Sequence, residues 1–253
     1  MVWILDLDGV VWLSDDVIPG VPEAVERLRD AGHSVLFLTN NSSLEVRYLV
    51  TKFEGMGMQV AAEEILTSAQ AAASMLEPGS TALVCAGDGV REALAERGVN
   101  AVDTGPADAV VVGFHKDFDY GRLNAAYQAI RGGARLIGTN ADTTYPTPDG
   151  PIPGGGALLA SVAAAAGVQP EVAGKPFQPM ADAVRRRIGD AADDGVVVGD
   201  RPDTDGLMAG RLGLPFALVF TGVTSPDDAP FDPEPAMTAP DLATLVDQEL
   251  GRA

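Results

Sequence analysis

Asp6 and Asp8, in the run Leu5-Asp6-Leu7-Asp8-Gly9, set two carboxylates two residues apart at the end of an apolar segment. At i and i+2 of a strand both would point to one side, where repulsion and poor solvation make the pair costly unless a cation joins them. Gly9 allows a turn directly after them, at the strand end where open parallel sheets bind ligands. A second acidic cluster, Asp200 with Asp203 and Asp205, follows the apolar run Val196–Gly199. Between the two come Thr39-Asn40-Asn41-Ser42 and Gly174-Lys175-Pro176, the latter holding one of only three lysines. A hydroxyl and the backbone N–H groups of a strand-to-helix turn suit an anion, and Lys175 is a candidate counter-charge. Each piece alone has an ordinary reading as solvated turn acids, a helix N-cap or a surface lysine. Together they can enclose a hard divalent cation and a phosphate, since Mg²⁺ takes one or two carboxylates plus phosphate oxygens and water.

The elements that must position these residues follow a βα rhythm. Strands are predicted at Val2–Leu7, Ser34–Leu38, Thr81–Ala86, Ala109–Gly113, Ala134–Gly138, Val196–Gly199 and Pro215–Phe220. Helices are predicted at Pro22–Ala31, Ser43–Met56, Gly89–Arg97, Tyr120–Arg131, Gly156–Ala166, Pro179–Ile188 and Asp205–Leu212. Continuous apolar strands alternating with helices indicate parallel sheets covered on both faces. The strands are too many for one sheet of ordinary size, and 69–170 holds a βα series of its own. Two α/β domains are therefore expected, a core of residues 1–68 and 171–253 and an inserted domain of 69–170. The Pro/Gly-rich stretch Tyr145–Gly156 reads as a loop, and Thr224–Pro240 as an irregular run before a short terminal helix.

With 36 acidic against 17 basic side chains the formal charge is −19 over 253 residues. That balance argues against binding nucleic acid or an anionic membrane surface. A solvated acidic face and adaptation to high salt explain it equally well. No apolar run approaches the roughly 20 residues of a membrane span, and the apolar N-terminus lacks the basic start of a signal peptide. A lone cysteine, Cys85, excludes an internal disulfide. A cytoplasmic protein is expected.

The ordered motifs DLDGV, strand-TNNS, GKP and GDRPDTD resemble the haloacid-dehalogenase-like phosphohydrolases along the whole chain. The loop Thr139–Asp142, the glycine run after it and the place of the insertion resemble the NagD/4-nitrophenylphosphatase branch. The resemblance implies a Rossmann-like core with a parallel sheet and a smaller inserted α/β cap of type II. It implies a Mg²⁺-dependent phosphatase acting on a small phosphorylated metabolite through an aspartyl-phosphate. Asp6 would be the nucleophile, and Asp8 the acid and then the base. The carboxylates of Asp6 and Asp200 and the main-chain carbonyl of Asp8 would hold the metal, supported by Asp205 and assisted by Asp203. Thr39, the N–H of Asn40, Asn41 and Lys175 would bind the phosphoryl group. Asn140, Asp142 and Tyr145 lie where the family's cap loop approaches the substrate, and relatives with this cap often self-associate through it. A phosphomutase of the same superfamily and a receiver-like phospho-accepting module stay open as alternatives.

Other features are assigned no chemistry. Val84–Glu92 starts like a strand–GxG–helix phosphate fingerprint, but its third glycine position is Glu92. Cys85 reads as a small buried hydrophobe, Arg185-Arg186-Arg187 as a solvated helix face, and His33 as an ordinary helix-end residue. His115, at the end of an inserted-domain strand, is a weaker candidate for substrate contact.

Overall fold

A computed structural model describes residues 1–145, 150–189 and 194–251. It divides into two compact units, one of residues 1–39, 50–66 and 184–253, the other of 40–49 and 67–183. The sequence-expected insertion, 69–170, lies within the second unit, and the segments 40–49 and 171–183 cluster with it.

The first unit carries a six-stranded sheet in the order Met237–Ala239, Phe216–Val219, Gly195–Gly199, Val2–Asp6, Ser34–Thr39, Ile65–Thr67. The pairings among the first five are all parallel. Val2–Asp6 is central because it is apolar on both faces: Trp3, Ile4 and Leu5 are each at most 1 % exposed. Burying an aliphatic side chain such as Ile4 or Leu5 contributes about 1.5–3 kcal/mol. Val21–Asp30 is a helix whose buried Val21, Ala24, Val25 and Leu28 recur at helical spacing, with a proline in its first turn. The chain runs outward from Val2–Asp6 in one direction and returns on its other side at Gly195–Gly199. The order thus reverses between these two strands, and such a reversal opens a crevice at the carboxyl ends.

The second unit has its own five-stranded parallel sheet, in the order Glu171–Val172, Arg135–Gly138, Ala109–Val112, Thr81–Cys85, Asn100–Val102. Its core packs Leu83, Cys85, Val110, Val112 and Leu136 against Ala126, Leu159 and Val162 of the helices Tyr120–Arg131 and Gly155–Ala166. Cys85 is buried as expected, and burial pushes its thiol up to about 11, so it stays protonated and inert.

Several short elements escape the sequence reading. Ile65–Thr67, Asn100–Val102 and Glu171–Val172 are strands of two or three residues, too short to show periodicity. The expected loop Tyr145–Gly156 contains a small hairpin, Thr144–Tyr145 against Ile152–Pro153, while its residues 146–149 lie outside the described residues. The expected irregular run Thr224–Pro240 ends in the edge strand Met237–Ala239. The expected helix start at Asp205 is instead a π-type turn, Pro202–Gly206, leading into the helix Leu207–Leu212.

Candidate active site

In the first unit, Asp6 closes the central strand and Asp200 follows Gly199 at the end of the strand beside it, flanking the point where the strand order reverses. Leu5 pairs with Val198, so both acids emerge at the same edge. On the other side Asp6 pairs with Leu38, and buried Thr39 follows directly. Asp205, brought back by the π-type turn, joins them: ligand oxygens of Asp6, Asp200 and Asp205 lie within 4.8 Å of one another. Asp205 is 0 % and Asp200 2 % exposed. Two of these carboxylates are shut from water and the third, Asp6, is half-buried, unlike the usual surface acids, and a hard cation is the partner their oxygen donors suit.

Backbone groups aim these carboxylates. Leu7 N–H donates to Asp6 Oδ1 at 2.8 Å, Val223 N–H to Asp200 Oδ2 at 2.6 Å, and Arg201 N–H to Asp205 Oδ2 at 3.2 Å. Gly9 is required twice over: its φ is +89°, and a Cβ there would stand 2.6 Å from the Asp200 carboxyl. Thr221 Oγ1 donates to the Gly9 carbonyl at 2.5 Å and ties the turn down. Asp203, by contrast, is exposed and paired with Arg201 at 3.1 Å, outside the three-carboxylate group. The Asp8 carboxylate is also outside that group and accepts from Trp12 Nε1 at 3.1 Å. Trp12, Thr221 and the Val223 N–H were not singled out from sequence. Only the indole four residues after Asp8 offered a signal.

In the second unit, Asn40 is the hub. Its Oδ1 accepts from Lys175 N at 2.7 Å, and its Nδ2 donates to the Lys175 carbonyl at 3.1 Å and to Asp142 Oδ2 at 3.2 Å. Its carbonyl accepts from Asn140 Nδ2 at 2.8 Å and Ser68 Oγ at 2.6 Å. Asn140 Oδ1 accepts in turn from Asp142 N. The side chains of Asn40 and Asn140 are thus spent on fixing the backbone at positions 40 and 175, and Lys175 itself is 3 % exposed. Asn41 Oδ1 accepts from Ser43 N and Ser43 Oγ, a local turn closure.

The GxG run after Thr81–Cys85 has a different use from phosphate binding. A Cβ on Gly87 would stand 2.6 Å from the Ser43 carbonyl, and one on Gly89 2.7 Å from that of Ser42. The glycines admit the backbone of 42–44 to the reversal point of this second sheet, where Ser42 Oγ lies 2.8 Å from Thr139 Oγ1.

His115 and Tyr145 also belong to the second unit. Tyr145 stacks on Phe114 with centroids 4.8 Å apart. His115 Nδ1 donates to the Gly113 carbonyl at 3.2 Å, which leaves Nε2, buried and without a hydrogen-bond partner, as the acceptor nitrogen. Burial holds the imidazole below its ordinary pKa; the Gly113 bond and Asp117 oppose this, and Arg122 and Arg91 add to it. The unfolded chain therefore binds this proton first, so the stability that the neutral ring contributes is complete above about pH 6.5 and is lost as pH falls through the folded pKa. His115→Gln is expected to show a smaller drop in melting temperature between pH 7.5 and 4.5 than the parent. Equal slopes would refute it.

Comparison with known proteins agrees with this geometry. Residues 3–100 match the haloacid dehalogenase-like hydrolase family, and residues 172–245 the HAD-hydrolase-like family. Dihydroxyacetone phosphatase of Corynebacterium glutamicum is 34% identical over 258 residues, covering 98% of this chain and 93% of that protein. The p-nitrophenyl phosphatase from Archaeoglobus fulgidus superposes with a TM-score of 0.92 at 30% identity, covering 98% of each chain. Glycerol phosphate phosphatase from Mycobacterium tuberculosis, in complex with magnesium, superposes at 0.88 with 32% identity, covering 96% of this chain and 75% of that one. Carboxylates at a strand-order reversal, on a chain that matches such relatives nearly end to end, make it a member of the haloacid dehalogenase-like hydrolases, a phosphoric monoester hydrolase of their 4-nitrophenylphosphatase type.

Proposed function

We propose that this phosphatase is a cytoplasmic, Mg²⁺-dependent enzyme that hydrolyses a small phosphorylated metabolite through an aspartyl-phosphate on Asp6. The observation that carries the reading is the convergence of Asp6, Asp200 and Asp205 at the reversal point of the sheet. These carboxylates, with the main-chain carbonyl of Asp8, would hold Mg²⁺, whose oxygen preference their donor set fits. When bound, the ion offsets the repulsion between an anionic nucleophile and an anionic ester. Thr39, the N–H groups of Asn40 and Asn41, and Lys175 bind the phosphoryl oxygens, with Asn140 and Asp142 holding Asn40 in place for them. Residues 1–68 and 171–253 serve as the catalytic core, and 69–170 as a cap that limits substrate size.

The chemistry of the chain's own residues runs in two steps. An Asp6 oxygen attacks phosphorus; the P–O bond to the leaving group breaks, and Asp8 gives that oxygen its proton. Asp8, now a carboxylate, then takes a proton from water as the water oxygen bonds to phosphorus. The P–O bond to Asp6 breaks and inorganic phosphate leaves. Phosphoryl transfer needs alignment and charge neutralisation more than new covalent machinery, which a lysine and aimed N–H groups supply.

The similarity to enzymes named for dihydroxyacetone and glycerol phosphates supports a small substrate of this kind, alongside sugar phosphates, nucleoside monophosphates, phosphoglycolate and pyridoxal phosphate. A phosphate-release assay over that panel, with Mg²⁺ present, is expected to select one or a few esters by at least about tenfold in kcat/KM, equivalent to about 1.4 kcal/mol of discrimination. Isomerised ester without free phosphate, or a long-lived phosphoprotein without turnover, would overturn the reading.

A further inference from the structure

The hairpin after the central strand, Trp12–Leu13 against Asp16–Val17, is organised around the Trp12 ring. That ring is 2 % exposed and packs on Phe53 with centroids 5.0 Å apart, and Phe53 packs on Phe37 at 4.6 Å. Lys52 Nζ sits 4.3 Å from the centroid of the Trp12 ring, donates to the Ser14 carbonyl at 2.6 Å and pairs with Asp15 at 3.4 Å. One cation therefore covers the indole and pins the turn of the hairpin. The backbone is held too: Trp12 N donates to the Leu7 carbonyl at 3.2 Å, and Gly9 N to the Trp12 carbonyl at 2.8 Å. With ring and backbone fixed, the single polar atom of the indole reaches Asp8 Oδ1 at 3.1 Å. Burial alone does not bring an indole to a carboxylate, since Trp3 Nε1 is buried with no hydrogen-bond partner.

We propose that Trp12 is the positioning residue for Asp8, and that it dictates which carboxyl oxygen moves the proton. The inference rests on the reading of Asp8 as the acid and base. An indole N–H is a donor only, so it must face an acceptor. The carbonyl-type oxygen of a protonated carboxyl is the better acceptor, so the indole favours Oδ1 in that part and Oδ2 as the oxygen that passes the proton to the leaving oxygen. As the P–O bond of the ester breaks and the Asp6–phosphorus bond forms, the Oδ2–H bond breaks and the O–H bond of the alcohol forms. The same oxygen later takes the proton from water.

The test compares phenyl phosphate with 4-nitrophenyl phosphate at saturating Mg²⁺. The two esters are close in shape, but the nitrophenolate leaves readily without a proton, whereas phenolate needs one. kcat/KM reports the step in which the leaving group departs. Trp12→Phe keeps an aromatic ring against Phe53 and removes the N–H together with part of the indole. It is expected to lower kcat/KM about tenfold for phenyl phosphate and less than about twofold for 4-nitrophenyl phosphate. In an Asp8→Asn background it should cause no further loss. Lys52→Met, which frees the ring without touching the aromatic stack, should show a smaller loss in the same sense. Equal losses on both esters, no loss, or effects additive with Asp8→Asn would overturn the assignment of Trp12. If Asp8→Asn itself lowers both esters alike, the role given to Asp8 fails instead.

Discussion

Asp6→Asn is expected to lower phosphatase turnover by about 10⁴-fold or more, on the scale at which loss of a covalent nucleophile is felt. That is about 5.5 kcal/mol of barrier, far more than loss of one hydrogen bond explains. The amide keeps the shape of the side chain and one oxygen to accept the Leu7 N–H, which Asp6 Oδ1 now accepts at 2.8 Å. It offers no anionic oxygen to phosphorus. The fold should not suffer. Asp6, Asp200 and Asp205 crowd their oxygens within 4.8 Å, so without metal the change removes one of three mutually repelling charges. The melting temperature in chelator is therefore expected to stay level or rise, measured by scanning calorimetry beside a phosphate-release assay. Turnover within about tenfold of the parent would remove Asp6 from the nucleophile role, and loss of activity with a collapsed melting transition would mean only a damaged fold. The Asn variant should also fail to take up label from a ³²P-labelled ester after acid quench, where the parent traps it.

The candidate-site residues were legible in the sequence because each announces itself locally: a polar residue at the end of an apolar run must lie at a strand end, and Asp6, Thr39 and Asp200 all do. Their adjacency was less legible. It depends on the strand order, and nothing in either segment states that Val2–Asp6 and Gly195–Gly199 are neighbours. The family resemblance supplied that step. The network around Asn40 escaped because all its partners but Ser68 are 100 to 135 residues away, and an amide that braces backbone looks in sequence like one that binds substrate. In the GxG run a missing third glycine argued against a dinucleotide site, while the use of Gly87 and Gly89 to admit residues 42–44 needed coordinates. Edge strands of two or three residues carry too few side chains for any pattern, so Glu171–Val172 and Asn100–Val102 were lost.

Removal of divalent metal is expected to abolish turnover, and readdition of Mg²⁺ to restore it. The reason lies in the site before substrate enters. Asp205 is 0 % and Asp200 2 % exposed, and backbone N–H groups of Arg201 and Val223 are aimed at them. A backbone N–H orients a carboxylate without cancelling its charge, and a phosphate dianion adds charge of the same sign. A hard cation between the carboxylates changes that sign balance, so binding should also stabilise the fold. At 100 times its dissociation constant the gain is about 2.7 kcal/mol, or about 5–10 °C in melting temperature for a protein of this size. Asp205→Asn and Asp200→Asn are expected to shrink that Mg²⁺-dependent shift, whereas Asp203→Asn, whose carboxylate pairs with Arg201 in solvent, should leave it intact. A titration of melting temperature against Mg²⁺ separates these outcomes without reference to catalysis. Full turnover in chelator, or an equal shift in all three variants, would mean that the buried acids serve the fold and not an ion.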